Sequence, residues 1–369
     1  MNQPHLTDAE RKAWLTLSRT PRVGPITFHQ LLRRYGSPAR ALDALPDLSR
    51  RTKALRPPEP GLIDMELERL NAFGARVIAS CELDFPPLLA ALDPPPPMIT
   101  VKGRLSLAQR STIAIVGARN ASAAGLKVAR DIAAVLGGAD YSVVSGLARG
   151  VDAAAHAGSL MSGTIAVLAG GIDHAYPPQN IALYESISMS GLLISECPFG
   201  HRALARDFPR RNRLITGLAH GVVVIEAAER SGSLISARLA NEQGREVMAV
   251  PGSPLDPRAA GTNYLIRQGA TLVRNAEDVI EALRYTMSSG VRASAAQFEH
   301  DPESAQDLQE AELDRVFQAL SQLAMPLNEI ASAANLNVAR CAAALVELEL
   351  AGLALTFAGG AASRAPAAQ

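Results

Sequence analysis

Arginines follow several apolar runs of this chain, each with glycine or serine close by. Arg119 comes after the run 113–116, Arg149 lies in the segment SGLARG, and residues 210–213 read RRNR. Guanidinium groups bind phosphate through two parallel hydrogen bonds, and backbone amides at a helix N-terminus also bind anions. We therefore expect a series of anion sites, which suits a ligand with several phosphates in a row, such as a nucleic-acid backbone.

The RRNR segment carries the strongest signal of this kind. Three like charges within four positions at the start of a predicted helix repel one another, and the helix dipole disfavours cations there. A bound anion would offset that cost, so we predict that Arg210, Arg211 and Arg213 contact the ligand. Phe208 precedes them, and its ring could either stack on an unpaired base or fill the core.

Acidic residues suggest catalysis as a second interpretation. Asp152 and His156 lie four residues apart, downstream of Ser145, but no G-x-S-x-G segment is present to hold a nucleophile. We interpret Asp152 as a carboxylate at a helix N-terminus, bonded to serine or arginine, and His156 as a satisfied helix residue. Glu226, ahead of SGS at 231–233, leaves one enzymatic alternative open, a nucleotide hydrolase of the phosphoribohydrolase type.

The elements that hold these residues alternate between apolar runs and Gly- or Ser-rich turns that lead into helical spacing. This alternation predicts an α/β domain with a doubly wound, mostly parallel sheet covered on both faces. Ligands bind at the carboxyl ends of such strands, where the turns lie. The first turn lacks G-x-G-x-x-G and the second strand ends in Ser145-Gly146, which argues against a nicotinamide dehydrogenase.

Breaks in composition divide the chain into five parts. We predict a small helical domain at 1–75, the α/β domain at 76–285, a linker at 286–309, a winged-helix domain at 310–360 and a disordered tail at 361–369. The helical domain resembles a helix-hairpin-helix or SAM-like unit, which we interpret as a packing module. In the winged helix the third helix carries Glu347 and Glu349 and only Arg340 as a cation, which favours a protein contact over reading of DNA.

Composition sets broad limits. The 369 residues contain 36 basic and 36 acidic side chains, so anion binding must come from local clusters. The three cysteines form no C-x-x-C pair, which predicts no zinc site, no disulfide framework and a reducing cytoplasm. No apolar run reaches the length of a membrane span. We expect no metal and no cofactor.

Seven motifs in order resemble one known family. They are VGAR, SGLARGVDAAAH, GGIDHAYPPQN, ISECPFG, DFPRRNRLITGL, VIEAAERSGSLISARLANEQGREVMAVPG and GTNYLIRQGA. Together they are similar to the DNA-processing protein A family, also called Smf. The resemblance implies an extended Rossmann-like domain between a SAM-like and a winged-helix domain. It also implies a non-enzymatic, cytoplasmic protein that binds single-stranded DNA, protects incoming DNA during natural transformation and helps load the RecA recombinase.

The resemblance also assigns residues. Arg119, Ser145, Gly146, Arg149, Arg211, Asn212 and Arg213 fall on the family's phosphate-contacting motifs, and Phe208 falls on its base-stacking aromatic. With the neighbouring turns, the predicted nucleic-acid-binding set also includes Gly117, Arg210, Ser231, Gly232 and Ser233. Pro178 stands where relatives are often basic, and the C-terminal GGAASRA lacks an aromatic. Family members usually form homodimers, for which Leu265 and Ile266 are the candidate contacts.

Overall fold

The computed structural model describes residues 5–48, 56–288, 308, 310–357 and 360–365. In the N-terminal part it contains α1 (Asp8–Arg19), α2 (Pro25–Tyr35), α3 (Pro38–Leu48) and α4 (Pro60–Ala72). Thr7 caps α1 in a reciprocal bond pair with Glu10, because the hydroxyl accepts from the Glu10 amide and the carboxylate accepts from the Thr7 amide. Gly36 ends α2 in the left-handed conformation, with a φ of 76°.

The central domain is built on one large sheet. Its strands are β1 (Arg76–Ala79), β2 (Met98–Gly103), β3 (Thr112–Gly117), β4 (Ser142–Ser145), β5 (Thr164–Leu168), β6 (Leu192–Ser195), β7 (Gly221–Ile225), β8 (Glu246–Ala249) and β9 (Thr271–Leu272). Its helices are α5 (Pro87–Ala90), α6 (Ala123–Gly138), α7 (Val151–Ser159), α8 (Ile181–Ser190), α9 (Asp207–Gly217), α10 (Gly232–Glu242), α11 (Ala260–Arg267) and α12 (Ala276–Ser288).

The order of the strands confirms a doubly wound, mostly parallel sheet. Within the described ranges the order is β1-β2-β6-β5-β4-β3-β7-β8-β9, and only the pairs β1–β2 and β2–β6 are antiparallel. The central strands are β-branched and buried on both faces, as parallel strands covered by helices must be. Leu214 of α9 packs in the core on one face and Leu136 of α6 in the core on the other. The chain changes direction between β3 and β7, which makes this the topological switch point.

The C-terminal part is a winged helix, as predicted, but it extends further than the sequence indicated. It contains α13 (Glu310–Ala319), β10 (Met325–Pro326), α14 (Leu327–Ala333), α15 (Val338–Leu350), β11 (Ala354–Thr356) and β12 (Ala361–Arg364). The prediction of a disordered tail from residue 361 is wrong for 361–364, because β12 pairs with both β10 and β11 and buries Ala362. The short side chains of this strand gave no apolar pattern that would have indicated it.

The predicted linker at 286–309 is only partly described. Helix α12 continues to Ser288, so the first three residues of the predicted linker are helical. Residues 289–307 and 309 lie outside the described ranges. Among the helices that are described, none combines the length and the apolar character needed to cross a bilayer.

The third helix of the winged helix is covered by the N-terminal domain. Arg34 of α2 forms an ion pair of 3.0 Å with Glu347 of α15, and the Thr27 hydroxyl donates to Glu349 at 2.7 Å. Val346 and Leu350 join the hydrophobic core of the N-terminal helices. The acidic face of α15 is therefore used for a contact within the chain.

We expect Arg34→Glu to release α15 from α2, because it places a like charge against Glu347 in a pair whose Arg34 side chain is 4% exposed. Breaking a buried pair costs about 3–5 kcal/mol. Hydrogen exchange of the α15 amides should become faster. The double variant Arg34→Glu with Glu347→Arg should restore slow exchange, and Lys12→Glu, at the exposed pair with Asp64, should leave it unchanged. Unchanged α15 exchange in Arg34→Glu would contradict this docking.

Candidate nucleic-acid interface

A cavity of about 280 Å³ lies at the carboxyl ends of β3, β4 and β5. Its lining includes Arg119, Gly146, Arg149, Tyr176, Phe208 and Arg211. The structure thus brings together five of the predicted residues from three separate segments of the chain, and it adds Tyr176 from a fourth. Arg119 and Arg149 are exposed at the rim, while Arg211 is 7% exposed. We refer to it as the sheet-edge cavity.

Arg211 joins the ends of two neighbouring strands. Its Nη1 donates to the carbonyl oxygens of Gly146, after β4, and Val167, in β5, the latter at 2.9 Å. Its Nε donates to Asn212 Oδ1 at 3.2 Å. Burial lowers the pKa of Arg211 to about 10, and the negative charge of Asp152 acts in the opposite direction and raises it. The guanidinium therefore stays charged at neutral pH.

Gly146 leaves the space that this guanidinium occupies. A Cβ atom at this position would lie 2.2 Å from Arg211 Nη1 and 2.5 Å from Cζ, so any side chain would displace Arg211. Gly146 was predicted to let the backbone come close to a ligand. In the structure it lets the backbone come close to the Arg211 side chain. Gly146 also lines the sheet-edge cavity.

Asp152 organises the loop that presents Arg149. Its carboxylate accepts from the amides of Gly146 at 3.1 Å and Ala148 at 3.3 Å. Burial raises the pKa of Asp152, and the charge of Arg211 opposes that shift. The interpretation of Asp152 as a structural carboxylate is thus confirmed. The expected serine partner is Ser145, but within the described residues the other partners are loop amides and not Arg149.

His156 and Ser145 also serve the structure. The His156 Nε2 accepts from the Leu147 amide at 3.3 Å, and its Nδ1 lies 2.7 Å from the Thr164 hydroxyl. Burial lowers the pKa of His156 to about 3. The buried Ser145 hydroxyl donates to the Ile115 carbonyl at 2.6 Å, so it is not open to a ligand. These partners leave no nucleophile and base facing each other.

Two aromatic rings form one wall of the sheet-edge cavity. The Phe208 ring lies 5.7 Å from the Tyr176 ring, with the planes tilted by 61°. The Arg119 guanidinium lies 5.3 Å from the centre of the Phe208 ring and that of Arg211 lies 5.8 Å from it. Phe208 is half-buried and Tyr176 is 49% exposed. Tyr176 was not selected from the sequence, although this residue lies in the family motif GGIDHAYPPQN.

Other predicted residues lie elsewhere. Arg213 donates to the Pro94 carbonyl at 3.1 Å and pairs with Glu196 at 3.2 Å, on the opposite side of α9 from the sheet-edge cavity. Arg210 is exposed and faces a neighbouring cavity. Gly117 permits close packing of β3 on β7, since a Cβ there would overlap the Ile225 carbonyl oxygen.

The segment 231–233 forms the start of α10. Ser231 caps this helix by accepting from the Ser233 amide, and its hydroxyl lies 2.6 Å from that of Ser233. Gly232 between them is exposed. None of the three lines the sheet-edge cavity.

Glu226 occupies the anion position at the switch point. Its Oε2 accepts from the Ser122 amide at 2.8 Å and its Oε1 accepts from the Ser122 hydroxyl, at the N-terminus of α6. A Cβ at Gly125 would lie 2.6 Å from this carboxyl group. The protein's own carboxylate thus fills the place where a Rossmann-like domain would hold a phosphate. This arrangement does not favour the nucleotide-hydrolase alternative.

The candidate dimer contacts lie on α11. Leu265 is partly buried against the core of the central domain, and Ile266 is half-buried. The larger exposed apolar side chain on this helix is Tyr264, which is 56% exposed. The role of Leu265 and Ile266 in a dimer stays a prediction.

We expect Arg211→Ala to lower the free energy of unfolding by about 1–3 kcal/mol, because it removes the donor to two buried carbonyl groups. Urea unfolding measures this. Arg210→Ala is the matched control, since the neighbouring arginine is exposed and should change stability by less than about 0.5 kcal/mol. Equal effects of the two substitutions would contradict the structural role of Arg211.

His156 should make the protein less stable in acid. Its pKa is about 3 in the fold and ordinarily 6.5, so only the unfolded chain binds the proton between these values. Stability from this group is complete above pH 6.5 and is lost as the pH falls toward 3, by up to about 1.4 kcal/mol per pH unit. In urea unfolding across this range, His156→Gln should show a shallower pH dependence than the unaltered protein. Identical slopes would refute the assignment.

Three family models match the chain. DNA recombination-mediator protein A matches residues 76–284, the DprA-like N-terminal HHH domain matches 8–68, and the DprA winged helix domain matches 299–360. The putative DNA processing protein DprA of Mycobacterium tuberculosis is 35% identical over 372 residues, which cover 95% of this chain and 93% of the relative. The DNA processing protein DprA of Bacillus subtilis is 41% identical over 57% of this chain and 72% of the relative.

Solved structures agree with these matches. DNA processing protein A from Streptococcus pneumoniae superposes with a TM-score of 0.62 and 32% identity, over 75% of this chain and 98% of that one. DNA processing protein A from Helicobacter pylori, described for its single-stranded DNA binding mode, gives a TM-score of 0.53 and 27% identity, over 57% of this chain and 96% of that one. With its three domains, its sheet and its motifs in place, this chain belongs to the family of DNA recombination-mediator protein A.

Proposed function

We propose that this protein binds single-stranded DNA along the carboxyl edge of its central sheet. The observation that carries the proposal is the sheet-edge cavity, where two exposed arginines stand at the rim above a buried charged arginine and beside two aromatic rings. The single-stranded DNA binding described for the Helicobacter pylori relative supports the same ligand.

The arginines suit the phosphates. Arg119 and Arg149 form no ion pair within the described residues, so their guanidinium groups are available to an anion. Arg211 has its Nε and Nη1 bonded to the protein. Burial lowers its pKa only to about 10, so its positive charge is retained and adds to the positive field of the cavity. Contacts of this kind neutralise the backbone without reading the sequence, so we expect little sequence preference.

The aromatic wall suits an unpaired base. Phe208 and Tyr176 are accessible from the sheet-edge cavity, and every base can stack on an aromatic face. A duplex keeps its bases stacked on each other, so it cannot use these rings without opening. This difference favours a single strand over a double strand.

We propose a binding role without catalysis. Glu226 accepts from Ser122, the N-cap residue of α6, while Asp152 and His156 hold the loop after β4, so the acidic and basic side chains that suggested catalysis have structural partners. The family resemblance supports the wider role: the protein protects incoming DNA in the cytoplasm during natural transformation and passes the strand to the RecA recombinase. The same resemblance supports a homodimer, for which α11 with Leu265 and Ile266 is the proposed contact.

The double variant Arg119→Ala with Arg149→Ala tests the proposal. Each phosphate contact changes log K by about 0.7 per log unit of salt, so two lost contacts should reduce the slope by about 1.4. Fluorescence anisotropy with a labelled oligothymidylate, titrated at several salt concentrations, measures both affinity and slope. Both side chains are exposed, so the fold should be unaffected.

Arg238→Ala is the matched control. Arg238 is an exposed arginine on α10, paired with Glu242 and away from the sheet-edge cavity. It should bind the oligonucleotide as the unaltered protein does. If the double variant also kept the full affinity and slope, the proposed site would be wrong.

A further inference from the structure

A second cavity of about 230 Å³ lies between the central sheet and the N-terminal domain. The turn between α1 and α2 lines it on one side, and the segment after β6 together with the start of α9 lines it on the other. It shares Leu168, Ala169 and Arg211 with the sheet-edge cavity. The two cavities are therefore neighbours with a common wall, and we call the second one the hinge-side cavity.

Its acidic side chains already have partners. Asp207 is 5% exposed and accepts from His201 Nε2 and from the Leu204 amide, each at 2.8 Å. Glu196 pairs with Arg213 at 3.2 Å. Both carboxylates are thus held by groups of the protein, and the charge of Asp207 also attracts the neighbouring Arg206, with which it forms no direct ion pair.

Its exposed arginines have no such partners. Arg206 and Arg210 form neither a hydrogen bond nor an ion pair through their side chains in the described part of the chain. They are four positions apart at the start of α9, which places them on one face, where like charges repel. The helix dipole adds to that cost, and Asp207 in the first turn offsets only a part of it. A bound polyanion would relieve both.

One helix start therefore presents cations to both cavities. Arg211 belongs to the wall that the cavities share, while Arg206 and Arg210 line only the hinge-side cavity. A strand that leaves the sheet-edge cavity past this wall meets a further pair of unpaired cations.

The N-terminal domain supplies the opposite wall. Ser18, Val23 and Pro25 line the hinge-side cavity, and α2 begins there at Pro25. Gly24 gives this helix no side-chain cap, and its first turn contains no acidic residue. The positive end of the α2 dipole is thus offset neither by a side-chain cap nor by an acid in its own first turn.

We propose that the hinge-side cavity is a second subsite for the phosphates of the same single strand. This inference rests on the proposed function and extends it: the N-terminal domain, which the sequence presented as a packing module, becomes part of the DNA-binding surface. The strand then contacts the central domain at the sheet-edge cavity and both domains at the hinge-side cavity. The number of nucleotides bound per chain is larger than the first cavity alone would hold.

The double variant Arg206→Ala with Arg210→Ala tests the subsite with oligothymidylates of two lengths, about 4 and about 16 nucleotides, the limits of common single-strand site sizes. Affinity for the long strand should fall roughly tenfold, as the loss of two exposed charge contacts predicts. Its salt slope should fall by about 1.4. Affinity for the short strand should stay unchanged, because the sheet-edge cavity is intact.

Arg202→Ala is the control in the same loop, since this exposed arginine lines neither cavity. It should bind both lengths normally. No loss for the long strand in the double variant, an equal loss for both lengths, or the same loss in Arg202→Ala would each overturn the subsite. Failure of the proposed function looks different, because the unaltered protein would then bind neither strand.

A second pair of variants tests the wall from the N-terminal domain. Pro25→Glu adds a negative charge at the first position of α2, where an acid stabilises the helix, and Pro25→Gln is its neutral match. Pro25→Glu should weaken binding of the long strand relative to Pro25→Gln and leave the short strand unaffected. Equal binding by the two variants would show that the N-terminal domain lies off the path of the strand.

Discussion

The buried guanidinium of Arg211 is the interaction on which the candidate interface depends. A charged group that is 7% exposed must find hydrogen-bond acceptors, and Arg211 finds them in the carbonyl groups of Gly146 and Val167. These carbonyls belong to the ends of neighbouring parallel strands. The cation therefore fixes the spacing of the two loops that follow, and it requires glycine at 146. Asp152 completes the arrangement. Its carboxylate accepts from the loop amides, and its negative charge stabilises the positive charge of Arg211.

This constraint separates two kinds of arginine in one motif. Consecutive positions on a helix point about 100° apart, so RRNR cannot direct all of its side chains at one ligand. Arg211 faces the strand ends, Arg210 faces the N-terminal domain, and Arg213 is tied to Glu196 and Pro94. The exposed cations that remain at the sheet-edge cavity, Arg119 and Arg149, come from different loops. A substitution of Arg211 therefore changes the scaffold as well as the charge.

The switch point of the sheet is filled by the protein itself. The carboxylate of Glu226 sits on the N-terminus of α6, and Glu226 adopts a left-handed φ of 50° there. The open cavity lies instead over β3, β4 and β5, next to the N-terminal domain. The cavity is thus displaced from the usual nucleotide position. The winged helix is tied to the same N-terminal domain through Arg34 and Glu347, so all three domains are in contact.

The sequence by itself determined the fold class, the three domains, the family and the loops that line the candidate interface. These follow from local patterns, since buried parallel strands need β-branched runs and loops at strand ends need small residues. The tertiary structure alone decided which side chains meet. It placed Tyr176 opposite Phe208, turned Ser145 and His156 inward, and made α15 a contact for α2. It also formed β12 from residues without an apolar pattern. The burial and the hydrogen-bond partners of these side chains depend on segments that are far apart in the chain, so the spacing of residues within one segment does not predict them.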